Sequence, residues 1–124
     1  MINWNDYPNF KKEEFDCSQT GENEMQKELM DKMQELRNRL GFALVITSGF
    51  RSVKHSIEAK KTKGGMHTKG LACDIKCHSN TAYKIVKVAL EVGFTGIGIN
   101  QKGATGRFVH LDLRPKNEAL IYSY

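Results

Sequence analysis

Two histidines and an aspartate are of the types and spacing that hold a metal ion. His67 and Asp74 lie in Met66-His-Thr-Lys-Gly-Leu-Ala-Cys-Asp-Ile75, and His110 lies in Phe108-Val-His-Leu-Asp-Leu-Arg114. Two imidazoles and one carboxylate form a catalytic-type zinc set, which leaves the fourth tetrahedral position to water. A structural zinc site is instead closed by four protein ligands, usually rich in cysteine. The expectation is one Zn2+ per chain on His67, Asp74 and His110. A lone histidine on a sheet is usually a hydrogen-bonded structural residue. Here period-two alternation sets Val109, Leu111 and Leu113 on one strand face and Phe108, His110, Asp112 and Arg114 on the other. The same alternation turns Asp74 away from Leu71, Cys73, Ile75 and Cys77. That conjunction favours a ligand set.

The elements that must position these residues are readable from pattern. Met25, Leu29, Met33, Leu36 and Leu40 make one apolar stripe, which predicts an amphipathic helix from Glu22 to Leu40 with Gly41 as its stop. Phe42-Ala-Leu-Val-Ile-Thr47 predicts a buried strand that delivers Ser48-Gly-Phe-Arg-Ser52 at its end. Residues 53–65 are polar and lysine-rich and predict a loop with a short helix around Ser56–Lys61, broken at Gly64-Gly65. A strand at Leu71–Cys77 follows. Next come a helix at Thr81–Val92, capped by Ser79 or Asn80 and ended by Gly93, and strands at Thr95–Asn100 and Arg107–Arg114, the last ended by Pro115. This order predicts an α+β fold, a small, mainly antiparallel sheet with helices packed on it. The 124 residues fit one domain. Residues 1–20 are expected as an irregular arm anchored by Trp4, Tyr7, Phe10 and Phe15, and residues 115–124 as a C-terminal tail.

Nineteen Lys and Arg against fourteen Asp and Glu give a net charge of +5, which suits an anionic partner such as nucleic acid, a membrane surface or an acidic cell-envelope polymer. No helix-turn-helix, zinc-finger or base-stacking motif accompanies the charge, so nucleic acid is disfavoured. No apolar run approaches the roughly 20 residues of a membrane span, and Met1–Asp6 lacks the pattern of a signal peptide. Cytoplasmic synthesis as a soluble monomer is expected. Cys17, Cys73 and Cys77 are odd in number and are read as free thiols. The alternative joins Cys73, Cys77 and His78, with Cys17, into a second zinc site. His55 and His78 stand in polar stretches and are expected to be solvated. Lys54, Lys60, Lys61, Lys63 and Lys69 gather charge around the site loop. Such a cluster either attracts an acidic substrate or is a solvated surface.

Four motifs in order carry a resemblance: Thr47-Ser-Gly-Phe-Arg-Ser52, His67-Thr-Lys-Gly-Leu-Ala-Cys-Asp74, Gly96-Ile-Gly-Ile99 and Phe108–Arg114. Together they resemble the zinc D-alanyl-D-alanine carboxypeptidase and L-alanyl-D-glutamate endopeptidase family, over about Phe15 to Arg114. These enzymes cut bacterial cell-wall peptides. The resemblance implies zinc on His67, Asp74 and His110, with Arg51 as the cation that binds substrate or stabilises the oxyanion, and Ser48 beside it in the substrate site. Zinc lowers the pKa of bound water to about 7 and polarises a carbonyl, and a guanidinium stabilises charge that peaks in the transition state. The same fold occurs in the zinc-containing signalling domain of hedgehog proteins, so fold and metal do not guarantee hydrolysis.

One position departs from the family. Its better-known branch has a proton-accepting acid three residues before the last histidine, where this chain has Arg107, whose guanidinium stays protonated. The chain looks more like a variant branch ending in Phe-Val-His-x-Asp-x-Arg. Asp112, two residues and about 6.6 Å along the strand from His110, is then the nearest candidate base. Its other possible roles are to orient a ligand or to pair with Arg51 or Arg114. The expected function is hydrolysis of peptidoglycan stem peptides. Lack of a secretion signal suits a phage-type lysin, released by pore formation or carried on a virion. The alternatives are a non-hydrolytic zinc-containing wall-binding module and a basic nucleic-acid-binding protein.

Overall fold

A computed structural model describes residues 2–55 and 65–124. Its first regular element, α1 (Lys27–Leu40), buries Leu29, Met30, Met33 and Leu36 and ends at Gly41, whose φ of 78° suits glycine. The helix starts five residues later than the apolar stripe predicts. Met25 is buried but precedes it, because residues 24–26 are drawn onto the loop at Gly70: the Gln26 amide donates to the Gly70 carbonyl at 3.0 Å. A Cβ on Gly70 would collide with the Glu24 carbonyl, so the contact requires glycine.

Strands β1 (Val45–Ser48), β2 (Ala72–Lys76), β3 (Gly96–Asn100), β4 (Phe108–Asp112) and β5 (Leu120–Ser123) form one sheet in the order β1-β2-β4-β3-β5. All neighbours are antiparallel except β3 and β5. Helix α2 (Ser79–Val92) lies between β2 and β3 in the chain. It starts two residues earlier than predicted, and neither Ser79 nor Asn80 caps it; the Gln101 side-chain oxygen accepts from the Ser79 amide at 3.0 Å instead. The fold is therefore α+β with a mainly antiparallel sheet, as the element order predicts.

Two expectations change at the sheet edges. The run at Phe42–Thr47 is not a buried strand: β1 is shorter, lies at an edge, and leaves Val45 54 % exposed. Residues 115–124 are not a tail. After a 3₁₀ turn at Lys116–Glu118, β5 pairs with β3 through bonds such as Leu120 N–H to the Thr95 carbonyl at 3.0 Å and Tyr124 N–H to that of Ile99 at 3.1 Å. Its side chains are mostly exposed, so it lacks the apolar pattern by which buried strands are recognised.

The core joins α1, α2 and one sheet face, with Ile75, Ile85, Ala89, Val109 and Leu111 at its centre. Cys73 on β2 touches Met33 on α1, sulfur to sulfur at 3.3 Å. The N-terminal arm adds two 3₁₀ turns, Trp4–Asp6 and Lys12–Phe15, and its Phe10 and Trp4 rings pack on the fully buried Phe15. All three cysteines are free and buried, and burial pushes the Cys77 thiol up to about 11. His55 is buried rather than solvated, while His78, Lys54 and Lys69 are exposed. The helix expected around Ser56–Lys61, with Lys60, Lys61 and Lys63, lies outside the described residues. Among the described residues no helix is long and apolar enough to cross a membrane.

Candidate metal centre

Antiparallel register builds most of the site. Ser48, Asp74, His110, Gly98 and Tyr122 are successive partners across β1, β2, β4, β3 and β5, one row on the face opposite the helices. His67 comes from a 3₁₀ turn, Met66–Lys69, closed by Gly70 at φ 71°. That turn is tied to the segment after β1: the Arg51 amide donates to the His67 carbonyl at 3.2 Å, and the His67 Nδ1–H donates to the Gly49 carbonyl at 2.7 Å. Gly49 is packed so tightly on the N-terminal arm that a Cβ would sit 2.6 Å from the Phe15 Cα.

With Nδ1 committed to Gly49, His67 turns Nε2 toward the other two groups. Nε2 lies 3.2 Å from His110 Nδ1 and 3.4 Å from Asp74 Oδ1, and those two atoms are 3.0 Å apart. Zinc bonds of about 2.0–2.1 Å at tetrahedral angles give ligand separations of about 3.3–3.4 Å. The triangle is therefore close to one face of a zinc tetrahedron. The three side chains are 4–5 % exposed. Among the described residues this is the His, Cys, Asp and Glu group with ligand atoms close enough to share an ion. The cysteine alternative is not assembled: Cys73 and Cys77 face the core.

Asp112 faces the far side of His110. Its Oδ2 accepts from His110 Nε2 at 2.8 Å and Arg114 Nη2 at 2.6 Å, and its Oδ1 accepts from the Arg114 amide at 3.1 Å and Arg114 Nε at 2.9 Å. The residue is fully buried. Space for it comes from Gly96, where a Cβ would run into the carboxylate. Electrostatics follow the geometry. Burial opposes the ionised form of Asp74, but hydrogen bonds from His110 and His67 outweigh it and hold the carboxyl well below its usual range. Burial is likewise outweighed at Asp112 by Arg114 and His110. For His110, burial opposes the cation, yet Asp112 and Asp74 raise its pKa above the ordinary value. The centre thus favours positive charge between two carboxylates.

Above the row lies a cavity of about 590 Å³, a size that suits a small peptide fragment. Ser48, Arg51, Phe108, Arg114, Tyr122 and Tyr124 line it beside the ligand set. Arg51 Nη2 is 3.5 Å from Asp74 Oδ2. Arg107 is not in this wall; it borders a separate groove with Tyr83, Val86 and Gln101. Tyr122 and Tyr124 are site residues that the sequence reading misses. The signal was the alternation Leu120, Tyr122, Tyr124, too short to stand out.

The family model of peptidase M15 matches residues 8–112, most of the 124 residues. The chain belongs to the peptidase M15 family. No curated protein matches it. M15 peptidases are zinc-dependent metallopeptidases, and the donor types and separations here fit that metal. The match contains Ser48, Arg51, the three candidate ligands and Asp112, and it stops before β5. Tyr122 and Tyr124 are thus contributed by a segment of this M15 peptidase beyond the matched region.

Proposed function

We propose that this M15 peptidase binds one zinc through His67 Nε2, Asp74 Oδ1 and His110 Nδ1 and hydrolyses peptidoglycan stem peptides at a D-Ala-D-Ala or L-Ala-D-Glu bond. The observation that carries the reading is the triangle of ligand atoms, 3.0–3.4 Å on its sides, at the base of an open cavity that also holds a guanidinium. Bound zinc supplies Lewis acidity toward a scissile carbonyl and an acidified water. The chain's own groups then have separate tasks. Arg51, fixed through its backbone to the His67 turn, meets the substrate carboxylate or the developing oxyanion, with Ser48 on the same wall. The +5 charge supports an acidic wall polymer as substrate.

Asp112 takes a different role from the base considered above. Both its oxygens are occupied and it lies behind His110, so it holds the Nε2–H and leaves the Nδ1 lone pair toward the metal position. Among the described residues the cavity holds no carboxylate besides Asp74 and Asp112. That observation favours a second reading, a zinc-holding module that binds wall peptides without cutting them.

Incubation of the protein with purified peptidoglycan, with and without a chelator, followed by mass spectrometry of the soluble products, tests both. The peptidase reading expects peptide fragments that disappear with chelator, one zinc per chain by elemental analysis, and loss of both in His67→Ala/His110→Ala. Sedimentation with peptidoglycan but no released fragment supports the binding module. Full zinc retention in the double variant would overturn the ligand assignment.

A further inference from the structure

Beyond the matched region, β5 brings an aromatic pair to the cavity. Gly98 is the partner of both His110 and Tyr122, so two side chains of one row are separated by a residue that has none. The Tyr122 ring leans into that gap: its Cζ, the carbon that bears the hydroxyl, is 2.8 Å from where a Gly98 Cβ would be, and the His110 Cβ is 3.0 Å from the same point. Ring centroids of Tyr122 and His110 are 5.8 Å apart. Two strand spacings, about 9.5 Å, separate the backbones of β4 and β5, so without the glycine this phenol would be held away from the ligand set. Its position is fixed from both sides. The Arg114 guanidinium carbon sits 5.8 Å over the ring, and Tyr124, itself packed on Phe108 at 4.9 Å, stands beside it. Among the described residues the Tyr122 hydroxyl has one long contact, 3.4 Å to that of Tyr124, in which either oxygen can be the donor. With Tyr124 as that donor, the Tyr122 O–H can turn into the cavity that the residue lines.

We infer that Tyr122 is a catalytic hydrogen-bond donor, its phenol O–H directed to the carbonyl oxygen of the scissile peptide from the β5 side while Arg51 acts from the β1 side. The inference rests on the peptidase reading above. Burial moves the Tyr122 phenol upward from its ordinary value near 10, so it keeps its proton at neutral pH and can strengthen a hydrogen bond to an oxygen that gains negative charge without any proton being transferred. Donors fixed before the reaction are worth most at such an oxygen, because no reorganisation is needed as charge develops. Gly98 is then explained as the gap through which the donor reaches.

The test is Tyr122→Phe, which keeps the ring over Gly98 and removes only the hydroxyl. Zinc-loaded wild type and variant are compared on a synthetic stem peptide ending in D-Ala-D-Ala and on one containing L-Ala-D-Glu, with zinc content and Tm measured in parallel. The expected result is a kcat lower by roughly 10²-fold, KM within about twofold, and unchanged zinc content and Tm. A phosphinate analogue of the cleaved bond should lose affinity by a similar factor, because such analogues report transition-state contacts. Wild-type turnover in Tyr122→Phe would overturn this inference and leave the peptidase reading standing. A fall in activity matched by lost zinc or a lowered Tm would also overturn it, returning Tyr122 to packing. Failure of the wild type to cut either peptide would overturn both.

Discussion

On β4, consecutive side chains are buried in two regions that are held by different forces. Val109 and Leu111 point to the helices and are fully buried among apolar neighbours. His110 and Asp112 point to the other face and are 4 % and 0 % exposed. The apolar side gains from area removed from water, about 25 cal/mol per Å², with no direction attached. The polar side gains nothing from burial itself and is stable only because each atom has a partner: Arg114 and His110 for Asp112, Asp112 and Asp74 for His110. One face therefore tolerates exchange of shape at constant volume. The other tolerates almost none, since removing one group strands the rest.

Substitutions on each side can break or sharpen this contrast. The largest effect is expected at Arg51, which lines the cavity beside the ligand set with its Nη2 3.5 Å from Asp74 Oδ2. Arg51→Ala should lower wall-peptide turnover by about 10²–10³-fold while zinc content stays at one per chain; near-normal turnover would return it to a wall residue. On the apolar side, Leu111→Ala should cost about 2–5 kcal/mol in urea unfolding. Zinc affinity of the folded fraction should be unchanged. If zinc were lost in proportion to stability, the two faces would not be separable.

Asp112→Asn addresses the polar side directly. If Asp112 works through His110, the variant should bind zinc about 10–100-fold more weakly, and added zinc should restore hydrolysis. A variant that keeps zinc but no longer cuts would instead make Asp112 the base. The smallest effect is expected at the rim of the apolar side, where the Tyr7 hydroxyl donates to the half-exposed Asp31 at 2.6 Å. Tyr7→Phe should cost about 1–2 kcal/mol at neutral pH. Burial and that bond push the Tyr7 phenol up to about 12, against about 10 in the unfolded chain. The folded state thus holds the proton longer, so the bond's contribution is complete below about pH 10 and is lost toward pH 12. Urea titrations across that range should show wild type converging on Tyr7→Phe; parallel curves would contradict the linkage.

The regular elements that bury an apolar stripe were legible: α1 from Leu29 to Gly41, α2 up to Gly93, and the central strands β2, β3 and β4. Elements that bury little were not. The run Phe42–Thr47 predicts a buried strand although β1 is an exposed edge, and residues 115–124 predict a tail although β5 pairs with β3, because that pairing is made by backbone groups that every sequence carries. His55 is buried despite its polar stretch for a related reason. Polar neighbours in the chain say nothing of what folds over a side chain.

For the site, the chain alone determined residue types and parity. Period-two alternation put His110 and Asp112 on one face, and Asp74 away from the core, whatever the partners of those strands. It also determined that the position three before His110 holds Arg107, which can take no proton. Tertiary structure decided everything that depends on distance across the sheet. Register set Asp74 opposite His110, and the packing of the Met66–Lys69 turn on the segment after β1 brought His67 in to close the triangle. Register also carried Tyr122 across Gly98 into the cavity. The physical reason is that covalent sequence fixes direction within a strand. Which strands meet, and in what register, is set by the burial and backbone pairing of the whole fold.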